Sequence, residues 1–299
     1  MPTKLPSWLR RNKGFVKVNV REILSPAKAE LASAGFEEVD AEYLLAHLLG
    51  ISRMELHHPL RVESALGAFE DAEDLEFLYK QLLSRRLTHE PIQYITGLAY
   101  FADLTLHVGP GVLIPRPETE LMIDRIVSHL KNLNAPSSVI DLGAGAGSLA
   151  LAIATQVPTA HVVAVEIAPE AVFWLRKNIE AVGADVRIIE EDVETALEGV
   201  KADLIIANPP YVPNEEKIPN EVKDFEPHVA LFGGPDGMDV PRRFYRAASR
   251  LLKSGGLFIS EHGEEQGPSV AQALSQDFHE ITLHNDLTDR PRWTSAIRN

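Results

Sequence analysis

The sequence predicts an α/β protein with a mostly parallel sheet over residues 118–299, a small helical bundle over 20–90 and a β-hairpin linker over 91–117. Two observations carry this expectation. Before Pro91 the apolar residues recur at helical spacing, and beyond Glu118 short apolar runs of strand type alternate with helical stretches, as βαβ units do. With 299 residues the chain can bury one large core and one smaller one.

The first residues are basic (Lys4, Arg10, Arg11, Lys13, Lys17, then Arg21) but lack the apolar stretch of a secretory signal, so 1–19 reads as a flexible extension. In the bundle, Leu44, Leu45, Leu48 and Leu49 follow Asp40 as an N-cap, and Leu75, Leu78, Leu82 and Leu83 form a second core-facing stripe. Pro91 ends that pattern. Phe101, Leu104, Leu106 and Val108 then alternate between turn formers, which predicts the hairpin. Strands are expected at Ser138–Leu142, His161–Glu166, Val186–Glu190, Asp203–Ala207 and Leu257–Glu261. Helices are expected around Leu149–Gln156, Pro169–Ala181 and Pro241–Leu252. Ile281–His284 and Thr294–Arg298 predict an antiparallel pair at one edge.

Composition excludes several classes of function. A content of 45% hydrophobic and 24% charged residues is that of a soluble globular protein, and no apolar run is long enough to span a membrane. Cysteine is absent, so disulfides, thiolate metal sites and a cysteine nucleophile are ruled out, which fits a cytoplasmic protein; no metal site is expected. A net charge of -14 opposes a polyanionic partner, and without the N-terminal cations the rest is more acidic still.

Four sites carry chemistry. Val139 to Leu142 reads as a buried strand running into Gly143-Ala144-Gly145-Ala146-Gly147 and then a helix. Glycine at alternating positions lets backbone approach a ligand where a Cβ would clash. The G-x-G-x-G spacing departs from the dinucleotide G-x-G-x-x-G, and no Gly-Lys-Ser/Thr follows, which favours a ligand without phosphates over a phosphate cradle. The alternative is a turn required only for packing. Glu166 ends the next strand, where a carboxylate can accept from both hydroxyls of a ribose; an exposed helix-entry residue is the plainer alternative. Asp192, after the third strand, stands where an adenine amino group would be contacted, with Val193 able to pack on the ring, although Glu190 and Glu191 make an acidic loop the competing reading. Asn208-Pro209-Pro210-Tyr211 follows the fourth strand at the carboxyl end of the sheet. Its two prolines stiffen a turn that would offer the Asn208 side-chain oxygen and the Pro209 carbonyl to the two hydrogens of a planar –NH2, with Tyr211 packing on its face. Such a nitrogen is a poor nucleophile, so positioning supplies much of the catalysis and no dedicated base is needed. Phe101 and Tyr211 are the candidates for a dry wall around the reacting centre.

D-x-G-x-G-x-G after a strand resembles the first motif of Rossmann-like class I methyltransferases. Taken with Asn-Pro-Pro-Tyr, Glu90-Pro91-Ile92-Gln93-Tyr94-Ile95-Thr96-Gly97 and Leu113-Ile114-Pro115-Arg116-Pro117-Glu118-Thr119-Glu120, the chain is similar to the glutamine methyltransferases that modify the Gly-Gly-Gln motif of class I peptide-chain release factors. Phe225-Glu226-Pro227, Gly233-Gly234-Pro235-Asp236-Gly237, Glu261-His262-Gly263 and Gln266-Gly267 also fit. The resemblance implies a helical domain that helps to grip the release factor, a hairpin linker and a catalytic domain. It implies that Gly143 to Gly147 and Glu166 hold S-adenosylmethionine, and that Asn208, Pro209, Pro210 and Tyr211 hold the substrate glutamine. Asp192, Val193 and Asn208 count with the cofactor's neighbours, and Phe101 matches an aromatic position near the glutamine pocket. The family often has an acidic residue before that phenylalanine and tryptophan after it; here Tyr100 and Ala102 stand there, which points to a pocket wall of different shape.

Three rival readings differ in substrate or class. A glutamine methyltransferase of a large-subunit ribosomal protein would share the chemistry, but Pro-Arg-Pro-Glu-Thr-Glu disfavours it. A nucleic-acid amino-methyltransferase would flip a base from its stack and call for a basic groove, which this composition lacks. A binding module that kept the cofactor fold without activity would have no use for Asn208.

Overall fold

The computed structural model describes residues 19–69, 71–133 and 135–299, so the extension assigned to 1–19 lies outside the described residues except for Asn19. The chain divides into two units between Thr96 and Gly97.

In the first unit every regular element is helical among the described residues. Helix α1 (Val20–Ser33) starts at Asn19, whose side chain accepts from Arg21 N. It is followed by α2 (Val39–Leu49), a 3-10 turn at Arg53–His57, α3 (Pro59–Leu66), α4 (Ala72–Leu87) and α5 (Ile92–Thr96). Leu31, Leu44, Leu45 and Leu75 are its largest fully buried side chains, each contributing about 2 kcal/mol of transfer free energy. Asp40 does not cap α2. The cap position is Glu38, and Asp40 lies within the first turn, where its Oδ2 accepts from Arg86 Nε of α4 at 2.7 Å. Both partners are buried, and pairing is what makes burial of that carboxylate tolerable.

The second unit opens with the hairpin of β1 (Leu98–Phe101) and β2 (Leu104–His107), so the segment expected to be a linker beyond Gly97 belongs to this unit. Ala102 and Asp103, both at positive φ, form its two-residue turn, a geometry that matches the twist of the strands it joins. There follow α6 (Pro117–Asn132), β3 (Ser137–Leu142), α7 (Ser148–Gln156), β4 (Ala160–Val165), α8 (Pro169–Val182), β5 (Val186–Ile189), β6 (Ala202–Ala207), β7 (Val212–Pro213), α9 (Asn220–Phe225), β8 (Phe232–Gly234), α10 (Asp239–Leu251), β9 (Leu252–Glu261), α11 (Gly267–Leu274), β10 (Phe278–Asn285) and β11 (Pro291–Arg298). Each expected strand and helix of this region is present within a few residues of its expected ends, and β10 with β11 is the expected antiparallel edge pair.

The seven-stranded sheet has the order β10-β11-β9-β6-β3-β4-β5 and is parallel from β9 to β5. Alternate residues along each strand feed opposite faces: Val139, Leu204 and Ile206 pack against α6 and α7, while Ile140, Ile205 and Phe258 pack against α10 and α11. From β3 the chain winds outward to β5 and returns to β6 on the other side of β3. That reversal leaves a crevice beyond the carboxyl ends of β3, β4 and β6, where open α/β sheets bind ligands. No helix among the described residues is long and apolar enough to cross a membrane.

Candidate active site

A cavity of about 250 Å³ occupies that crevice. One wall is the glycine turn after β3. Gly143, Gly145 and Gly147 all have positive φ, which side-chain-bearing residues rarely adopt. Their roles differ. A Cβ at Gly147 would stand 2.5 Å from Leu175 and one at Gly143 would stand 2.9 Å from the Phe244 ring, whereas one at Gly145 would meet nothing closer than 3.9 Å. Gly145 therefore leaves open space at the cavity wall, and Gly147, which is not on the lining, permits close packing of α7 on α8. Ala144 and Ala146 complete this wall.

Buried polar side chains hold the turn from behind. Asn178 of α8, fully buried, donates from Nδ2 to Ala146 O and to His107 O, and its Oδ1 accepts from His107 N at 2.6 Å. One side chain thus fastens both the glycine turn and the hairpin. Asp141, at the end of β3, accepts from Ala150 N of α7 at 3.0 Å. Burial pushes its carboxyl up to about 7, against the pull of that N–H. A raised carboxyl means that the folded state favours the protonated form, so this group's contribution to stability is full below about pH 4 and is lost as pH rises through about 7. Asp141→Asn keeps an acceptor for Ala150 and cannot ionise. The urea midpoint of the variant relative to wild type should rise between pH 5 and pH 8, and a difference independent of pH would refute this.

Glu166 follows β4 with its side chain folded over the backbone. Oε1 accepts from Ile167 N and Ala168 N, and Oε2 accepts from Gly145 N, each at 2.8 Å. A carboxylate offers about four acceptor sites, so one remains, on Oε2. The expectation of two ribose hydroxyls on this group thus meets a carboxylate with one site left while Gly145 stays bound. Asp192 and Val193 lie on the same lining, Asp192 with Oδ1 accepting from Glu194 N at 2.9 Å and Oδ2 accepting from Arg243 at 2.6 Å. Asx-type bonding and the arginine hold that loop still.

Beside the glycine turn, beyond the end of the neighbouring strand β6, Asn208 and Pro210 also line the cavity. Asn208 Nδ2 donates to Thr119 Oγ1 at 3.3 Å, Thr119 donates to Glu261 Oε2 at 2.5 Å, and the Tyr211 hydroxyl donates to Glu261 Oε1 at 3.0 Å. Among the described residues no protein donor is assigned to Asn208 Oδ1, which remains an acceptor at the cavity wall. Glycines lock the turn from outside, since a Cβ at Gly237 would stand 2.1 Å from Tyr211 O and one at Gly233 would stand 2.5 Å from Pro210 O. Gln266 Nε2 donates to Tyr211 O at 2.9 Å. Nearby, Glu226 accepts from Ile114 N at 3.0 Å and from Arg116 at 2.5 Å.

Besides Gly147, three expected site residues lie off the lining: Phe101, Pro209 and Tyr211. Phe101 is the inward-facing end of β1 and is 1% exposed, packed within the main core. Tyr211 turns its hydroxyl to Glu261 instead of the cavity. Val112, Leu149, Ala230 and Phe244 are among the apolar residues of the lining. Among the described residues no group of three or more His, Asp or Glu side chains is arranged to hold a metal ion.

Comparison with known proteins gives the same picture. Residues 22–97 match the PrmC N-terminal domain and residues 119–225 match the Methyltransferase small domain. A release factor glutamine methyltransferase of Streptomyces coelicolor is 38% identical over 283 residues, 91% of this chain and 96% of the relative. Proteins of that name from Mycolicibacterium smegmatis and Deinococcus radiodurans are 39% and 33% identical, covering 93% and 94% of this chain and 98% and 99% of the relatives. Among solved structures, the 16S rRNA N2 G1207 methyltransferase of T. thermophilus, in complex with AdoMet and guanosine, aligns with a TM-score of 0.51 at 25% identity over 68% of this chain and 50% of that chain.

Proposed function

Because the chain belongs to the family of release factor glutamine methyltransferases, we propose that it methylates the side-chain amide nitrogen of the glutamine in the Gly-Gly-Gln motif of class I peptide-chain release factors. The protein is an S-adenosylmethionine-dependent protein-glutamine methyltransferase. The residues present suit that cofactor: the open space at Gly145, the remaining acceptor site of Glu166 and the apolar lining can receive a nucleoside that carries no phosphate. Bound S-adenosylmethionine supplies a methyl group on a sulfonium whose positive charge vanishes as the methyl leaves.

The observation that carries the substrate reading is Asn208, with its amide NH2 held by Thr119 and its Oδ1 left as an acceptor. In this reading Oδ1 and the Pro209 carbonyl take the two hydrogens of the substrate –NH2, orient its lone pair and keep the amide from rotating. Pro210 lines the pocket, and Tyr211 braces the turn through Glu261. Gly143 to Ala146 and Glu166 hold the cofactor, with Asp192 and Val193 on its adenine, while Gly147 and Phe101 shape the walls from within the core. A glutamine preceded by two glycines suits a narrow cavity, because no Cβ on those residues obstructs its entry. Such a substrate places the reaction in the cytoplasm.

The test is mass spectrometry of a purified class I release factor after incubation with this protein and S-adenosylmethionine. The expected result is one added methyl, mapped to the glutamine of Gly-Gly-Gln. An unmodified release factor, with cofactor binding intact, would overturn the proposal and make the large-subunit ribosomal protein the next substrate to assay.

A further inference from the structure

We propose that Thr119 and Glu261 are positioning residues that fix which end of the Asn208 amide faces the substrate; the inference rests on the reading of Asn208 as a substrate acceptor. A primary amide is nearly symmetric in shape, with oxygen and NH2 at its two ends. Turned the wrong way, Asn208 would present donors to a substrate –NH2 that is itself a donor. Something must choose the end.

Three separate elements meet to make that choice. Ala207 of β6 pairs with Ser260 of β9, so the next residues, Asn208 and Glu261, emerge side by side at the carboxyl edge of two adjacent strands. Thr119 enters from the first turn of α6. Thr119 is 2% exposed and Glu261 is 1% exposed. Thr119 Oγ1 stands 2.5 Å from Glu261 Oε2 and 3.3 Å from Asn208 Nδ2. A hydroxyl has one proton; once it is given to a carboxylate, the oxygen can only accept on its other side. Asn208 must then turn its NH2 toward Thr119 and its Oδ1 away. The second carboxylate oxygen accepts a hydrogen bond from the Tyr211 hydroxyl, so a single buried acid holds both ends of the Asn208–Tyr211 turn. Burial pushes the Glu261 carboxyl up, the hydrogen bonds from Thr119 and Tyr211 and the charge of Arg292 pull it back toward the ionised form, and Glu118 opposes them. Burying a carboxylate is costly, and this one is compensated by hydrogen bonds that all run outward to the turn and to α6. A core required only for packing would be served as well by an apolar side chain.

The test is a double-mutant cycle on the full chain with S-adenosylmethionine and a glutamine-bearing release factor. Thr119→Val keeps the shape and deletes the hydroxyl. It should lower kcat by roughly 10- to 100-fold, the scale of losing one oriented hydrogen bond, with cofactor Kd within about threefold. Thr119→Ser should recover most of that loss. In the Asn208→Ala background Thr119→Val should have no further effect on kcat, because the group it acts through is gone. Glu261→Gln, whose amide can donate as well as accept, should reproduce the pattern and serves if Thr119→Val does not fold. Equal losses in both backgrounds, or a loss shared with cofactor affinity and not recovered by serine, would mean that Thr119 only supports the fold and would overturn the inference. Full turnover in Asn208→Ala alone would instead overturn the reading of Asn208 on which it rests.

Discussion

Asn208→Ala is expected to lower kcat by roughly 10²- to 10³-fold, comparable to the loss of one oriented donor from a site that stabilises charge, while cofactor affinity changes by less than about threefold. The argument is geometric. Asn208 follows β6, next to the strand that carries the glycine turn, and its NH2 is held by Thr119 and not by that turn, so deleting the side chain takes the proposed acceptor from the substrate and no hydrogen bond from Gly143 to Ala146. An amide nitrogen reacts only when its lone pair is aimed at the methyl group; without Oδ1 the –NH2 can rotate among unproductive orientations. The loss therefore belongs in kcat more than in KM, since the remaining contacts bind ground state and transition state alike. Asn208→Asp makes a sharper case. Its carboxylate would accept as well as the amide oxygen but would meet Thr119 without an NH2 to donate, so its activity should stay below wild type. Steady-state kinetics with cofactor binding measured in parallel checks both variants. A fall in cofactor affinity that accounted for the whole loss would show that Asn208 serves the cofactor instead.

What could be read from sequence was whatever the chain writes locally. The glycine turn, the acid at the end of β4 and Asn-Pro-Pro-Tyr each carry their chemistry within a few residues, and the alternation of strands and helices places them at one edge of the sheet. What could not be read joins positions far apart. Thr119 and Glu261 are separated by 142 residues, Ile114 and Glu226 by 112, and His107 and Asn178 by 71. Only folding brings these pairs together, and no spacing rule announces them. Their one signal was family likeness: Thr119, Glu226, Glu261 and Gln266 all stand in segments that matched without a visible purpose, and each proves to brace the Asn208 turn or the loops beside it. The packing of Phe101 was hidden for a different reason. Strand parity shows that Ala99 and Phe101 share a face, but only packing decides that this face meets the core. Asp40 failed similarly, because a carboxylate near a helix start can serve a distant arginine as readily as the helix end.

Glu166→Ala should produce the opposite profile to Asn208→Ala: cofactor Kd rising by about 100-fold, the scale of one or two charge-assisted hydrogen bonds, with kcat at saturating cofactor within a few-fold of wild type. Two effects combine in that number. The substitution removes the acceptor site proposed for the ribose, and it strands the N–H groups of Gly145, Ile167 and Ala168, which bond to this one carboxylate. Stranding Gly145 loosens the cavity wall itself, so the melting temperature without cofactor should fall as well. The ribose is unchanged as the methyl leaves, so an interaction with it stabilises ground state and transition state equally and does not alter the chemical step. S-adenosylhomocysteine makes the decisive comparison, because it keeps the ribose and lacks the sulfonium. Isothermal titration should show the same fractional loss of affinity for both ligands. If only S-adenosylmethionine were weakened, Glu166 would be acting on the positive sulfur rather than the sugar, and its place in the site would have to be redrawn around the reacting centre.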